Sequence, residues 1–264
     1  MQIYRDLRVL TARPSVGDEA RAPHHLYGVA DGAEAWSVGR WLRAAEPVLR
    51  AIAARGRVAV VTGGTGLYFA TLTRGLADVP PVPDTLRDAL AGAYDAEGEA
   101  AFRLRLRDAD PAAEARIAAG DRQRLVRALA VAQATGRPLS AWREDTRAPL
   151  PPSVWRAAVL EPPREALYAA ADARAARMIE EGALQEVAAL RARGLSPSLP
   201  VMKALGVEAF GRVLDGLSTP AEAVDQTAQQ TRRYAKRQLT WFRNQTPDWP
   251  RAADGDEVVR LLAG

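Results

Sequence analysis

The 264-residue sequence contains no cysteine. Disulfides and thiolate metal sites are therefore excluded. Histidine is nearly as scarce, with only the adjacent His24 and His25. Neighbouring side chains diverge, and no carboxylate–histidine spacing of metal-site type surrounds them, so they read as structural residues of a loop. There is no Gly-x-Ser-x-Gly elbow and no clear carboxylate pair. No apolar run approaches the roughly 20 residues that span a bilayer. The opening Met1-Gln2-Ile3-Tyr4-Arg5 has no apolar segment of secretory type. A cytoplasmic protein without a membrane partner is the expectation.

Lysine is almost missing too, with only Lys203 and Lys236, so arginine carries nearly all of the positive charge. The net charge is +4. Arginine presents a planar fork suited to phosphate, and a basic balance fits a nucleic acid or another polyphosphate. An arginine- and alanine-rich composition also follows from a GC-rich genome, so charge alone does not decide. The 48% hydrophobic and 26% charged fractions are ordinary for a globular protein. The length suits one large domain, or a core with an inserted domain.

Along the chain, the first 35 residues are punctuated by Pro14, Gly17, Pro23, Gly28 and Gly32 and read as irregular. Val38, Trp41, Leu42, Ala45, Leu49 and Ile52 then recur at helical spacing and predict a helix from about Ser37 to Arg55. Val58-Ala59-Val60-Val61-Thr62 is a short β-branched run of the kind that forms a buried strand in a parallel sheet. It enters Gly63-Gly64-Thr65-Gly66 and a helix from about Leu67. Pro80, Pro81 and Pro83 interrupt the chain, and residues 84 to 142 read as helical. Asp121 is placed to N-cap a helix that Gly136 and Pro138 end. Residues 154 to 160 predict a second strand. Thr219, Pro220 and Glu222 form a capping box for a last long helix. The expected architecture is α/β: a parallel-sheet core in two segments, 1–83 and 149–264, around a helical insertion at 84–148, with a helical C-terminus.

Three constellations could carry chemistry. In Thr62-Gly63-Gly64-Thr65-Gly66-Leu67-Tyr68, the glycines let backbone approach a ligand, and the helix start offers N–H groups to an anion. The alternative is a tight turn without a ligand. It is not a Walker A loop, because no Gly-Lys-Ser/Thr follows. In Asp121-Arg122-Gln123-Arg124-Leu125-Val126-Arg127, Gln123 and Arg127 are four apart and Arg124 lies three from Arg127, giving a polar face for phosphates and base edges. A merely solvated face is the plainer reading. In Thr231 to Arg243, the apolar stripe Ala235, Leu239 and Phe242 runs beside Arg232, Lys236 and Arg243, with Arg233 and Arg237 adjacent. Such interleaving suits nucleic acid or diphosphate; aromatics that are simply core are the alternative.

Taken in order, these segments resemble one family. Met1-Gln2-Ile3-Tyr4-Arg5 resembles the Met-Gln-Val-Tyr-Arg of Asp-Ser-Met-Gln-Val-Tyr-Arg. Thr11-Ala12-Arg13-Pro14 resembles Thr-Ala-Lys-Pro, and Pro23-His24-His25-Leu26 matches Pro-His-His-Leu. Gly63 to Tyr68 matches Gly-Gly-Thr-Gly-Leu-Tyr. Arg127-Ala128-Leu129 and Thr135-Gly136-Arg137-Pro138-Leu139-Ser140 resemble Arg-Ala-Leu and Thr-Gly-Lys-Pro-Leu-Ser. Tyr234 to Arg243 matches Tyr-Ala-Lys-Arg-Gln-x-Thr-Trp-Phe-Arg. The family is that of the tRNA dimethylallyltransferases, and the ordered set covers almost the whole chain.

The resemblance implies a P-loop-like, nucleotide-binding α/β core with a helical tRNA-binding insertion. It implies transfer of a dimethylallyl group from its diphosphate, with Mg2+, to N6 of adenine 37 in tRNAs reading codons that start with U. The partners implied are the tRNA anticodon loop and dimethylallyl diphosphate, and the enzyme is expected as a monomer. Met1, Gln2, Thr65, Arg87, Gln123, Arg124, Leu125, Val126, Arg127, Lys203 and Gly206 are the implied tRNA-facing residues, Lys203 to Glu208 on a looser match. Lys236 and Arg237 are candidates for phosphate or diphosphate. The family's catalytic Asp would stand two residues before Met1, and its phosphate loop further upstream, so no catalytic base is assigned within the chain. On that reading the N-terminal strands of the sheet are missing, the chain alone does not catalyse transfer, and exposed apolar edges favour aggregation. A non-catalytic tRNA-binding remnant of the same family is the alternative. Another nucleotide-dependent transferase or kinase is disfavoured by the absent Gly-Lys-Ser/Thr, and an adenylate isopentenyltransferase by the insertion.

Overall fold

The computed structural model describes residues 1–263. Twelve α-helices, two short 3-10 helices and one two-stranded parallel sheet make up its regular structure among the described residues. Helix α1 (Val16–Arg21) opens on a capping box between Ser15 and Asp18. Helix α2 (Val38–Ala54) starts where the Ser37 side chain accepts from the Arg40 N–H, close to the predicted boundary. Helix α3 (Gly66–Arg74) follows the glycine-rich turn. Next come α4 (Asp84–Ala109), broken at Gly98 where φ is 80°, then α5 (Pro111–Arg116), α6 (Arg122–Thr135) and α7 (Leu139–Glu144). Strand β1 (Val159–Leu160) leads to α8 (Arg164–Glu180), α9 (Ala183–Ala192), α10 (Val207–Leu214) and the long α11 (Pro220–Gln245). Strand β2 (Arg251–Ala252) and α12 (Gly255–Ala263) close the chain.

The chain divides into two compact units. One comprises Met1–Phe69 and the residues from Ser153 onward; the other is Ala70–Pro152. In the first, α8 and α10 pack on α11, and α9 packs on α10. Leu7, Met178, Val187, Leu190, Val201 and Phe210 are among the fully buried side chains of its core. The N-terminal turn is tied to this core by a carboxylate: Glu186 accepts the backbone N–H groups of Arg8 (2.5 Å), Val9 (2.9 Å) and Leu10 (3.0 Å). Arg193 adds a fork between Asp6 and Asp31, and Asp6 also accepts the Gly32 N–H at 2.8 Å.

In the second unit, α4 and α6 pack along their lengths around Phe102, Leu106, Leu125 and Leu129. Asp121 caps α6 by accepting the Arg124 N–H, and Gly136 ends it with φ 67°, both as expected from the spacing. Buried Asp110 caps α5 through the Ala113 N–H (2.9 Å) and also accepts the Ser140 N–H (2.9 Å), so one carboxylate fixes two connections.

The sheet is smaller than expected. The run from Val58 to Thr62 pairs with no strand among the described residues, and Val58 and Val60 are 89% and 75% exposed. A β-branched run becomes a buried strand only where neighbours take up its N–H and C=O groups and layers cover its faces. None of the described residues does so here. The second predicted strand shrinks to Val159–Leu160, which pairs in parallel with β2, because Pro152–Val154 turns as a 3-10 helix instead. The α/β expectation thus holds in its coarse form, a mostly helical chain with a small parallel sheet.

Candidate functional site

The glycine-rich turn lies on α11. Tyr234, Gln238 and Trp241 are spaced i, i+4 and i+7, so they share one helix face. Each meets a different residue of the turn. Thr65 Oγ1 is 3.0 Å from the Tyr234 hydroxyl. A Cβ at Gly64 would fall 1.7 Å from Gln238 Nε2, and one at Gly66 would fall 2.0 Å from the Trp241 ring. Glycine at 66 is what lets backbone lie against the Trp241 ring, while the flexible Gln238 amide could move aside at 64. The Thr62 hydroxyl is 3.2 Å from the Tyr27 hydroxyl, which fixes the other end of the turn.

Aromatic contacts hold the start of α3. Tyr68 stacks on Trp41 with ring centroids 4.6 Å apart and planes within 7°. Phe69 meets Phe242 at 6.0 Å and the edge of Trp249 at 6.2 Å. Burial, and then the neighbouring Tyr4 and Tyr234, push the Tyr68 phenol above its ordinary value, so it stays neutral and keeps its proton. Arg237 lies one turn along from Tyr234 with its guanidinium over that ring, 5.5 Å from the centroid. Thr65, Tyr234 and Arg237 form one contiguous group: two hydroxyls and a guanidinium beside a helix start. Thr65 and Arg237 are exposed, so the group is open to a ligand.

Other predicted residues of this unit fall elsewhere. Lys236 is two residues from Tyr234, which turns it to the face of Arg232, the partner of Asp172 on α8. It is exposed but outside the Thr65 group. Met1 is exposed, and Gln2 uses its Nε2 to donate to the Ala12 carbonyl at 2.8 Å, leaving its side-chain oxygen as the group it can offer. Lys203 is exposed at the end of the 3-10 turn Pro200–Lys203. Gly206 is a correction. It is buried, with φ 91°, and a Cβ there would lie 2.7 Å from Leu10, so it lets two core segments approach rather than facing outward.

The second unit sorts its predicted residues by helix face. Gln123, Arg124 and Arg127 are exposed on α6, and Arg87 is exposed on α4. Leu125 is wholly buried and Val126 is 5% exposed, which corrects their reading as tRNA-facing side chains. They form the opposite, apolar side of α6, and burying them is what holds the polar side in place. Arg87 pairs with Asp84 at 2.8 Å and Arg124 with Asp121 at 3.1 Å. Partial desolvation and then the charge of Arg87 hold the Arg127 guanidinium below its usual range.

Magnesium, expected from the resemblance, finds no cage. Among the described residues no three His, Asp or Glu side chains converge, and the Thr65 group contains no carboxylate.

Tyr234, Gln238 and Trp241 were not among the predicted site residues. The available signal was their i, i+4, i+7 spacing, one position ahead of the Ala235, Leu239 and Phe242 stripe. The residues that touch the turn also cannot be separated from core aromatics without the fold.

A glycine turn packed on a helix that carries a tyrosine and an arginine puts two hydroxyls, a guanidinium and a helix start together. Comparison with known proteins narrows this. The family model described as IPP transferase matches residues 2–245, and the chain belongs to that family. A "tRNA dimethylallyltransferase" from a Caulobacter species is 58% identical over 251 residues, spanning 95% of this chain and 81% of the relative. One of the same name from Phenylobacterium zucineum is 56% identical over 258 residues, 97% of this chain and 83% of the relative. Among solved structures, the tRNA isopentenylpyrophosphate transferase of Bacillus halodurans aligns with a TM-score of 0.65 at 30% identity, covering 99% of this chain and 83% of that one. A eukaryotic dimethylallyltransferase acting on tRNA shares the fold, with a TM-score of 0.75 at 23% identity over 92% of this chain and 61% of that one.

Proposed function

We propose that this chain is a tRNA-modifying prenyltransferase that moves a dimethylallyl group from dimethylallyl diphosphate to N6 of adenine 37. The family match and the relatives above 50% identity support this activity. The observation that carries it in this structure is the contiguous Thr65–Tyr234–Arg237 group on the clamped glycine turn.

In the reaction the N6 lone pair attacks the allylic carbon, the carbon–oxygen bond to diphosphate breaks, and the bonding pair leaves with the diphosphate. The N6 proton passes to a base, a role for which the Thr65 group holds no carboxylate or histidine. Arg237 meets the charge of phosphate oxygens, where a fixed cation favours the departing diphosphate. N–H groups at the start of α3 add to that field. Thr65 offers a hydroxyl to the base or backbone of the unstacked nucleotide, since an adenine must leave its stack to be alkylated. In the other unit, Gln123, Arg124, Arg127 and Arg87 supply the phosphate and base-edge contacts that hold an anticodon loop. A cytoplasmic site of action accords with such a substrate.

The test uses the full chain, labelled dimethylallyl diphosphate and an anticodon stem-loop with adenine at position 37. Label should appear on N6, and Arg237→Ala should reduce the rate more than tenfold. Label on a free adenylate instead of the stem-loop would contradict the assignment; label on neither, with the stem-loop still bound, would select the non-catalytic tRNA-binding alternative.

A further inference from the structure

We infer that Tyr234 is a positioning residue that sets the hydroxyl of Thr65 for a hydrogen-bond acceptor on the RNA. The inference rests on the reading of Thr65 as RNA-facing and deepens it. Thr65 is exposed, and a threonine on an open turn has more than one staggered position for its Oγ1. The Tyr234 hydroxyl at 3.0 Å selects one of them. The phenol is itself held, because its ring lies under the Arg237 guanidinium and its backbone belongs to the middle of a 26-residue helix. Gln238 and Trp241 closely approach the flanking glycines from the same helix face, so the turn lies against that face on both sides of Thr65.

The chemistry of the pair gives it a direction. A phenol is far more acidic than an alkyl hydroxyl, so the favoured arrangement has Tyr234 donating and Thr65 accepting. Thr65 then keeps its own proton to donate outward. Its proton then has an acceptor on the RNA as its partner, a ring nitrogen, a carbonyl or a phosphate oxygen. Phenylalanine at 234 would keep the packing and remove this order.

Binding of an anticodon stem-loop to the full chain tests the idea in four variants. Tyr234→Phe should weaken binding about 2–10-fold, the worth of one hydrogen bond. Thr65→Val should lose a similar factor, and the double variant Thr65→Val with Tyr234→Phe should lose no more than either alone. Thr65→Ser, which keeps the hydroxyl, should recover most of what Thr65→Val loses. Parental affinity in Tyr234→Phe, or fully additive losses, would overturn the inference. Should the parent bind no RNA, the functional reading itself falls, and hydrogen exchange decides the pair. Faster exchange at residues 62–66 in Tyr234→Phe would uphold the positioning of the turn, and unchanged exchange would reject it.

Discussion

A methyl group added at Gly66 would lie 2.0 Å from the indole of Trp241, and a ring on a packed helix cannot yield that much. Gly66→Ala should therefore cost about 1–3 kcal/mol in unfolding free energy, as overpacking does, and lift the turn off α11. Gly92, in the interior of α4, has nothing within 4 Å of where its Cβ would be. Gly92→Ala should instead stabilise the protein by about 0.5–1 kcal/mol through helix propensity. Urea unfolding of the two variants measures both; equal effects would mean that the contact with Trp241 is not what Gly66 serves. Motif matching found Gly66, but it could not distinguish a glycine that admits a neighbour from one that faces a ligand. Gly206 shows the limit. It lies in a stretch matched as RNA-facing, yet it is buried against Leu10, a residue nearly 200 positions away in sequence.

Helices were legible where both their ends and their stripes are local properties. The Ser37 and Asp121 caps, the Gly136 stop and the Thr219–Glu222 capping box all lie where side-chain chemistry put them. The run from Val58 to Thr62 was not legible, because a strand is completed by partners that its own residues do not specify. On α6 the amphipathic pattern was visible, but the family match ran across both faces and took in Leu125 and Val126. Leu125→Ala separates the two roles. It should destabilise the second unit by about 2–5 kcal/mol while leaving RNA affinity per folded molecule unchanged, as read by calorimetry together with binding. A large loss of affinity at full stability would return Leu125 to the interface.

Charge acts over the whole molecule, and here most carboxylates with shifted protonation are held by arginine or backbone N–H groups. In the second unit, Arg103 holds Glu99 and Glu114, and Arg122 holds Asp95, below the usual carboxylate range. In the first unit the Ala33 N–H and then Arg193 lower Asp31, and the Thr219 N–H and Ser218 lower Glu222. A depressed carboxylate contributes stability that is complete above its unfolded value, near pH ~4, and is lost as pH falls through its folded value. Urea midpoints should be level from pH 7 to about 5 and drop steadily below about 4. A midpoint that does not move down to pH 3 would show that these pairs are too solvent-screened to matter. The longest single element gives the first unit one more property. From its cap at Thr219 to Trp241, α11 runs ~33 Å at about 1.5 Å per residue. It is a lever with its fulcrum among the buried residues Ala223, Thr227 and Ala228, and with the Thr65 contact midway along it at Tyr234. A tilt of ~3° at the fulcrum sweeps Tyr234, ~12 Å away, through ~0.6 Å, enough to stretch the 3.0 Å hydroxyl–hydroxyl contact past hydrogen-bond length, so small repacking near Ala223 would be felt as lost aim at Thr65.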